Sequence, residues 1–188
     1  MKKGKYFSFT LHEPRGVVAT IIPWNYPLMM YIWGVAPALC CGNSVVMKVA
    51  ESTPLSGLYV AQLLTEAGLP DGVLNVVSGL GDVAGRALVS HPAVDLVHFT
   101  GSDVIGRQVM KAAADELTPV VLEMGGKSPA IVFEDANLDV AVENVEFTMF
   151  YNSGQTCDSS SRIFVHVESA RKFKREQNRV ISRLSIDH

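Results

Sequence analysis

A single cysteine, Cys157, lies in a run of small polar residues between a helix-like apolar segment and the strand-like Ile163-Phe164-Val165. A buried structural cysteine usually has apolar neighbours. In a polar turn, the sulfur can meet a substrate and backbone N–H groups can favour the thiolate. Two interpretations therefore stay open for this segment: a nucleophilic thiol held in a turn, or a surface loop with an idle thiol. The two other cysteines, Cys40 and Cys41, lie in an apolar segment and are interpreted as small core residues.

Five further groups of residues stand at the predicted carboxyl ends of strands, where parallel sheets collect their ligands. They are Pro23-Trp24-Asn25, Lys48 to Glu51, Gly79 to Gly85, Thr100-Gly101-Ser102 and Glu123 to Gly126. Glycines let the backbone approach a pyrophosphate, and a capped helix start offers N–H groups to it. The glycine spacing from Gly79 to Gly85 is one residue longer than the Rossmann fingerprint. From this spacing, a nucleotide site and plain strand–helix turns are both open.

The polar members of these groups also have structural interpretations. Asn25 could cap a turn between two prolines. Glu123 could pair with Lys127 at a domain edge. Lys48 and Glu51 could form a surface ion pair, or together hold ribose hydroxyls.

Strands and helices alternate along the chain. Apolar, β-branched runs predict strands at 17–22, 44–48, 74–77, 96–100 and 119–123, with helices at 28–39, 54–67, 85–90 and 102–114. After Gly125-Gly126 the pattern restarts with a strand at 130–133, a helix at 138–151 and a strand at 162–167. The alternation predicts a parallel sheet covered on both faces by helices. A domain boundary is expected near Gly125, and Ser52-Thr53-Pro54 is expected to start a helix with a hydroxyl cap.

The uncharged stretch from Gly16 to Met47 is long enough to span a bilayer. Pro23, Pro27 and Pro37 interrupt it, and such breaks would leave backbone groups unpaired in lipid. The stretch is therefore predicted to form a buried strand, a loop and a buried helix, with no membrane partner.

Composition points to a globular protein of 188 residues, 48% hydrophobic, with a net charge of −3. A nucleic-acid binder would need a basic face, so no nucleic-acid partner is expected. The one basic cluster, 171–179, is interspersed with Glu176 and Gln177 and is interpreted as a solvated helix face. No C-x-x-C pair or metal-ligand spacing occurs. This pattern predicts a reducing, cytoplasmic location and no metal site.

Five motifs in register resemble the aldehyde dehydrogenase superfamily. They are Pro23-Trp24-Asn25, Lys48-Val49-Ala50-Glu51, Phe99-Thr100-Gly101-Ser102 with Gly106, Leu122 to Pro129, and Gly154-Gln155-Thr156-Cys157. Their order and spacing agree over roughly Glu13 to Val167. The resemblance implies an α/β fold: a Rossmann-like open parallel sheet forming a coenzyme-binding domain (1–125), followed by the start of an α/β catalytic domain (126–188).

The same resemblance implies the chemistry and the residues that perform it. Cys157 would be the nucleophile, Asn25 an oxyanion donor and Glu123 the general base. The coenzyme would be NAD, with NADP as an alternative. Its site would be lined by Ile22, Trp24, Lys48, Glu51, Gly81, Gly85, Gly101 and Ser102. The reaction would oxidise a small-molecule aldehyde to a carboxylic acid through a cysteine thiohemiacetal and thioester. Full-length relatives are homo-oligomers.

The chain departs from the family pattern at Gly34, where relatives commonly carry a lysine associated with proton relay. Family members are also much longer, so the chain is expected to be a fragment or a truncated member. The alternative function is a catalytically inactive remnant that binds only a nucleotide or a partner subunit. A thiol hydrolase without coenzyme has little support, because no histidine is recognisably placed beside Cys157.

Overall fold

The computed structural model describes Gly4 and residues 7–182. The other N-terminal residues, including Lys2, Lys3 and Lys5, and residues 183–188 lie outside the described part, although the predicted domain ranges include them. Contacts divide the chain into two units, one up to Glu123 and one from Met124 onward.

The first unit is built on a five-stranded sheet in the order β3-β2-β1-β4-β5. The strands are β1 (Val17–Ile21), β2 (Ser44–Lys48), β3 (Leu74–Val77), β4 (Leu96–Gly101) and β5 (Val120–Met124). β1 runs parallel to β2 and to β4, and β2 runs parallel to β3. The chain order reverses at β1, which creates the crevice where ligands of such sheets bind.

Helices cover both faces of this sheet. They are α1 (Pro27–Cys40), α2 (Leu55–Glu66), α3 (Arg86–Val89) and α4 (Asp103–Asp115), and a π-helical turn, Gly81–Gly85, leads into α3. On one face Val18 and Met47 of the sheet pack with Val35 of α1. On the other face Val97 packs with Ala113 of α4. The predicted α/β class with an open parallel sheet is thereby confirmed.

The prediction that α1 is buried is only half right. α1 buries one stripe, Met30, Tyr31, Gly34 and Val35, and leaves apolar side chains such as that of Trp33 exposed. A helix that is apolar all round has no periodicity to indicate which stripe will be buried.

The interpretation of Cys40 and Cys41 as core residues is wrong. Both thiols are exposed. They lie at the carboxyl end of α1, beyond its buried stripe, so the apolar composition of the segment misled the prediction.

The expected hydroxyl cap of α2 is also wrong. The helix begins at Leu55, Pro54 occupies the N-cap position, and no side chain caps it. The Thr53 Oγ1 atom is instead buried without a hydrogen-bond partner in the described part of the chain. Pro54 already has helical backbone angles, φ −79° and ψ −24°, so the turn starts without a side-chain acceptor.

The second unit holds a two-stranded parallel sheet, β6 (Pro129–Val132) with β7 (Arg162–Val165). Two helices accompany it, α5 (Leu138–Phe150) and α6 (Val167–Ile181), and a 3₁₀ turn, Tyr151–Gly154, follows α5. Val132, Val142 and Phe173 form its small core. The basic residues of α6 are exposed, as the prediction of a solvated face requires.

No helix among Gly4 and residues 7–182 is both long enough and apolar enough to cross a membrane.

Candidate active site

A cavity of about 1020 Å³ opens at the carboxyl ends of β1, β2 and β4. All eight residues predicted to line a coenzyme contribute to its wall: Ile22, Trp24, Lys48, Glu51, Gly81, Gly85, Gly101 and Ser102. They come from four separate places in the sequence. The parallel sheet brings them together because each lies at or after the end of a strand, and these strand ends share one edge.

Lys48 and Glu51 form the polar corner of this cavity. Lys48 is buried at the end of β2, and its Nζ donates to Val49 O at 3.1 Å and to Glu51 Oε2 at 3.3 Å. Glu51 Oε1 accepts from the Gly81 N–H at 2.9 Å. The expected ion pair therefore exists, but it is only half on the surface, since Lys48 is 3% and Glu51 49% exposed.

Hydrogen bonds determine the ionisation of Glu51. Its own backbone N–H, the N–H of Gly81 and the charge of Lys48 hold the pKa of the Glu51 carboxyl below its ordinary value, against the opposing effect of partial burial. Glu51 is thus a carboxylate at neutral pH, with one oxygen toward Lys48 and the other toward the π-helical turn.

The opposite wall is the start of α4. Ser102 is the N-cap, and its side chain accepts from the Ile105 N–H at 3.3 Å, as the sequence predicted. The other N–H groups of the first turn and the positive end of the helix dipole stand at the cavity edge, where they favour an anion.

These features fit a dinucleotide. The volume is comparable to the upper end of ligand pockets, about 1000 Å³. One wall offers N–H groups for phosphate, and the other offers the Glu51 carboxylate and Lys48 Nζ for hydroxyl groups. Trp24, half exposed at the rim, adds an aromatic surface.

The cavity also contains polar residues that the sequence analysis missed. Arg86, Gln108 and Lys111 belong to its lining. Arg86 follows the glycine-rich turn directly, and its position there was the one signal available. Gln108 and Lys111 lie along α4, and only the packing of that helix on the sheet brings them to the cavity.

The three predicted catalytic residues lie elsewhere. Asn25, partly buried, is in the loop between β1 and α1, and Glu123 is exposed near the end of β5. Neither belongs to the cavity lining. Cys157 belongs to the second unit.

Cys157 is exposed in the loop between the 3₁₀ turn and β7. Its carbonyl oxygen accepts from Ser128 Oγ at 3.5 Å. Further along the loop, Ser159 Oγ donates to Met149 O at 3.2 Å, which ties the loop to the end of α5. The polar setting that the sequence indicated for this cysteine is therefore present.

The turn before Cys157 has unusual backbone angles. Asn152 and Ser153 have φ values of 51° and 59°, which is the left-handed backbone conformation. Holding a non-glycine residue in this conformation costs on the order of 1–3 kcal/mol of folding free energy. Gly154 follows with φ 73°, and a Cβ there would lie 3.1 Å from Met149 O. The strain is concentrated directly before the cysteine, which is typical of functional loops.

Comparison with known proteins identifies the family. A family model described as "Aldehyde dehydrogenase family" matches residues 1–188. The chain belongs to the aldehyde dehydrogenase family. It is 53% identical over 173 residues to retinal dehydrogenase 2 of Homo sapiens, covering 92% of this chain and 33% of the relative. It is 57% identical over 164 residues to mitochondrial aldehyde dehydrogenase family 2 member B4 of Arabidopsis thaliana, covering 87% and 30%.

Solved structures of the family have the same fold. An NAD⁺ complex of aldehyde dehydrogenase from Bacillus cereus superimposes with a TM-score of 0.90 at 45% identity, covering 93% of this chain and 36% of that one. The chain thus spans about a third of the length of the relatives it matches.

The departure from the family pattern at Gly34 has a local packing consequence. A Cβ at this position would collide with Thr20 Cγ2 of β1 and lie 3.3 Å from His98 Nδ1 of β4. In this aldehyde dehydrogenase chain, α1 therefore approaches the sheet more closely at Gly34 than a side chain would allow.

The described residues were predicted to hold no metal site, and their possible metal ligands are dispersed. Among Gly4 and residues 7–182, no group of three or more His, Cys, Asp or Glu side chains could hold a metal ion.

Proposed function

We propose that this chain supplies the coenzyme site and the cysteine nucleophile of an enzyme that oxidises an aldehyde to a carboxylic acid with NAD(P). The observation that carries the proposal is the shared cavity. Eight residues chosen from sequence motifs line one space beside a helix N-terminus. In this assignment, residues 1–125 form the coenzyme-binding domain and residues 126–188 begin the catalytic domain.

The proposed coenzyme-binding groups are of two kinds, a carboxylate that accepts hydrogen bonds and backbone N–H groups that donate them. Glu51, held ionised by Gly81 and Lys48, would accept hydrogen bonds from ribose hydroxyls. The first-turn N–H groups after Ser102 would bind pyrophosphate oxygens. A bound nicotinamide would accept the hydride that leaves the substrate carbon.

The chain's own residues carry the covalent chemistry. The Cys157 thiolate adds to the aldehyde carbonyl, and the Asn25 amide and the Cys157 N–H donate to the resulting oxyanion. After oxidation, the acyl group is a thioester on Cys157. Glu123 then removes a proton from water as the oxygen attacks that thioester, which releases the carboxylic acid and restores the thiol.

The decisive experiment measures NAD binding by calorimetry and NADH formation by absorbance with propanal, in the 188-residue chain and in Cys157→Ser. We expect NAD binding in both proteins. NADH formation by this chain alone should be inefficient, because catalysis needs closely positioned reacting groups, and it should require Cys157. Cys40→Ser and Cys41→Ser are matched controls, because those thiols are equally exposed, and they should retain both activities.

Each other outcome has a defined meaning. A chain that does not bind NAD contradicts the proposal. NAD binding without NADH formation in the unaltered chain supports the alternative, a remnant that binds nucleotide only. The aldehyde partner, the cytoplasmic location and homo-oligomerisation stay predictions, and the Arabidopsis relative named above is mitochondrial.

A further inference from the structure

Cys157 lies at a corner of a tight turn. The N–H of Ser159 donates to the carbonyl oxygen of Thr156 at 3.2 Å, and a bond between residues three apart closes a β-turn. Cys157 and Asp158 are the two central residues of this turn. The closing bond uses neither the N–H nor the side chain of the first central residue, so both groups of Cys157 remain outside it.

The side chain of Ser159 also fixes this turn to α5. Its Oγ donates to the carbonyl oxygen of Met149 at 3.2 Å, in a partly buried contact. Met149 is the penultimate residue of α5, and the last four carbonyls of a helix have no partner within it. The hydroxyl therefore satisfies one of these carbonyls. Through this one residue, the turn that carries the cysteine is joined to the helix end.

The same carbonyl lies close to the backbone before the cysteine. A Cβ on Gly154 would lie 3.1 Å from Met149 O, and the φ of Gly154 is 73°. Glycine suits both the close approach and the positive φ. Gly154 lies three residues before Cys157, and Ser159 lies two residues after it. Both ends of the short segment that carries the thiol therefore meet at the Met149 oxygen.

A second pair of hydroxyl groups holds the residue after Ser159. Thr148 Oγ1 and Ser160 Oγ are hydrogen-bonded at 2.8 Å. These residues, with Ser159 and Met149, are partly buried, whereas Cys157 is exposed. Hydrogen bonds are stronger where water is partly excluded. The loop is thus anchored on its protected side, and its thiol is open to a substrate.

We propose that Ser159 is a positioning residue for Cys157. Its N–H closes the turn and its hydroxyl holds the turn against α5, which fixes the direction of the Cys157 N–H. The inference rests on the proposed function, in which this N–H donates to the oxyanion that forms when the thiolate adds to a carbonyl. A donor stabilises such an oxyanion most when it is already held in place. The Ser159 hydroxyl therefore supplies orientation and does not touch the substrate.

The test compares two reactions of one thiol. The protein is the 188-residue chain with Cys40→Ser and Cys41→Ser, which leaves Cys157 as the one cysteine. With p-nitrophenyl acetate, the thiolate adds to the ester carbonyl, the oxyanion collapses, p-nitrophenolate leaves, and an acetyl thioester remains. With iodoacetamide, the thiolate displaces iodide from carbon, and no oxyanion forms.

Ser159→Ala should slow the acylation and leave the alkylation rate unchanged. Loss of a whole oxyanion donor costs roughly 10²–10³-fold in rate, so a donor that has become mobile should cost about tenfold. The backbone bond that closes the turn is retained in this variant. Ser159→Thr keeps a hydroxyl and should restore the acylation rate.

Ser182→Ala is the matched control. Ser182 Oγ donates to Arg179 O at 2.8 Å at the end of α6. This variant also removes a serine hydroxyl from a helix-end carbonyl of the same unit, away from the cysteine loop. It should leave both rates unchanged, which separates positioning from a general effect of helix capping on stability.

NMR relaxation measures the positioning directly. The order parameter of the Cys157 N–H should fall from the rigid range, about 0.85, to below about 0.6 in Ser159→Ala, and it should stay rigid in Ser182→Ala. An unchanged order parameter in Ser159→Ala would overturn the inference, as would acylation and alkylation rates that fall by the same factor. These measurements need neither coenzyme nor aldehyde. Loss of NAD binding contradicts the proposed function, whereas an unmoved order parameter contradicts the role of Ser159.

Discussion

At the scale of single residues, Glu51 has the most constrained carboxylate of the cavity. One oxygen accepts from the Gly81 N–H at 2.9 Å, and the other faces Lys48 Nζ at 3.3 Å. Turning the side chain away from the cavity breaks both contacts. Because its pKa is lowered in the folded chain, these contacts are present above the ordinary pKa of a glutamate and are lost as the pH falls through the folded value.

We predict from this geometry that the chain binds NAD in preference to NADP. A 2′-phosphate on the adenosine ribose would face a carboxylate that cannot easily rotate away, and like charges brought together are unfavourable. In Glu51→Gln the amide oxygen can still accept from Gly81, but the repulsion is gone. The ratio of the NADP to NAD dissociation constants, measured by calorimetry, should therefore fall by roughly tenfold for each 1.4 kcal/mol of repulsion removed.

Glu66→Gln makes the same charge change on α2, outside the cavity lining. It should leave the ratio unchanged. Equal affinity of the unaltered chain for the two coenzymes would contradict the assignment of Glu51 to the ribose.

At the scale of elements, the buried face of α5 contains a carboxyl group, Glu146, that lowers the stability of the folded unit. Glu146 is 5% exposed, and neither of its carboxylate oxygens has a hydrogen-bond partner among the described residues. Burial raises its pKa. The folded state therefore prefers the neutral carboxyl, and the stability of the unit falls as the pH rises from the unfolded pKa through the higher folded one.

Replacing Glu146 by Met should raise the free energy of unfolding at pH 7, because a buried unpaired group costs about 1–3 kcal/mol. The gain should shrink toward about pH 3, where the carboxyl is neutral in both states. Urea denaturation at the two pH values measures both effects. Glu143→Met, on the exposed side of the same helix, should show neither, and a destabilised Glu146→Met at pH 7 would refute the prediction.

At the scale of the whole molecule, Tyr31 occupies the centre of the larger core. Its side chain is fully buried between the sheet and α2, where a Cβ on Gly57 would touch its ring. The hydroxyl has no partner in the described part of the chain. Burial raises the pKa of Tyr31 to about 12.

This buried phenol predicts a loss of stability at alkaline pH. The unfolded state releases the phenolic proton near pH 10, and the folded state keeps it up to about pH 12. Between these values the free energy of unfolding should fall by up to about 1.4 kcal/mol per pH unit. Tyr31→Phe should remove that loss and should not lower stability at pH 7, because the hydroxyl has no hydrogen-bond partner among the described residues.

Urea denaturation at pH 8, 10 and 11 tests the prediction. Tyr59→Phe is the matched control, since Tyr59 is exposed on α2 and its loss should keep the alkaline decline. The same decline in Tyr31→Phe as in the unaltered chain would show that other groups cause it.

The amino-acid sequence by itself determined the order and type of the elements and the edge of the sheet at which the cavity opens. Hydrophobic periodicity and chain breaks located all seven strands of the described residues within two residues at each end, because pleat and helix periods are local properties. The cavity residues follow strand ends, and in a parallel sheet strand ends share one edge. The alternation therefore indicated that strand-end residues of distant segments share one edge, and the resemblance to the family selected the eight residues among them.

Only the tertiary structure decided which apolar surfaces are buried and which polar atoms lack partners. α1 is apolar on every side, so its sequence could not show that one stripe packs on the sheet while Cys40 and Cys41 stay exposed. The enclosure of Thr20 and His98 likewise depends on how closely Gly34 approaches β1 and β4. Burial is a property of neighbours far apart in the sequence, and no local pattern records their distance.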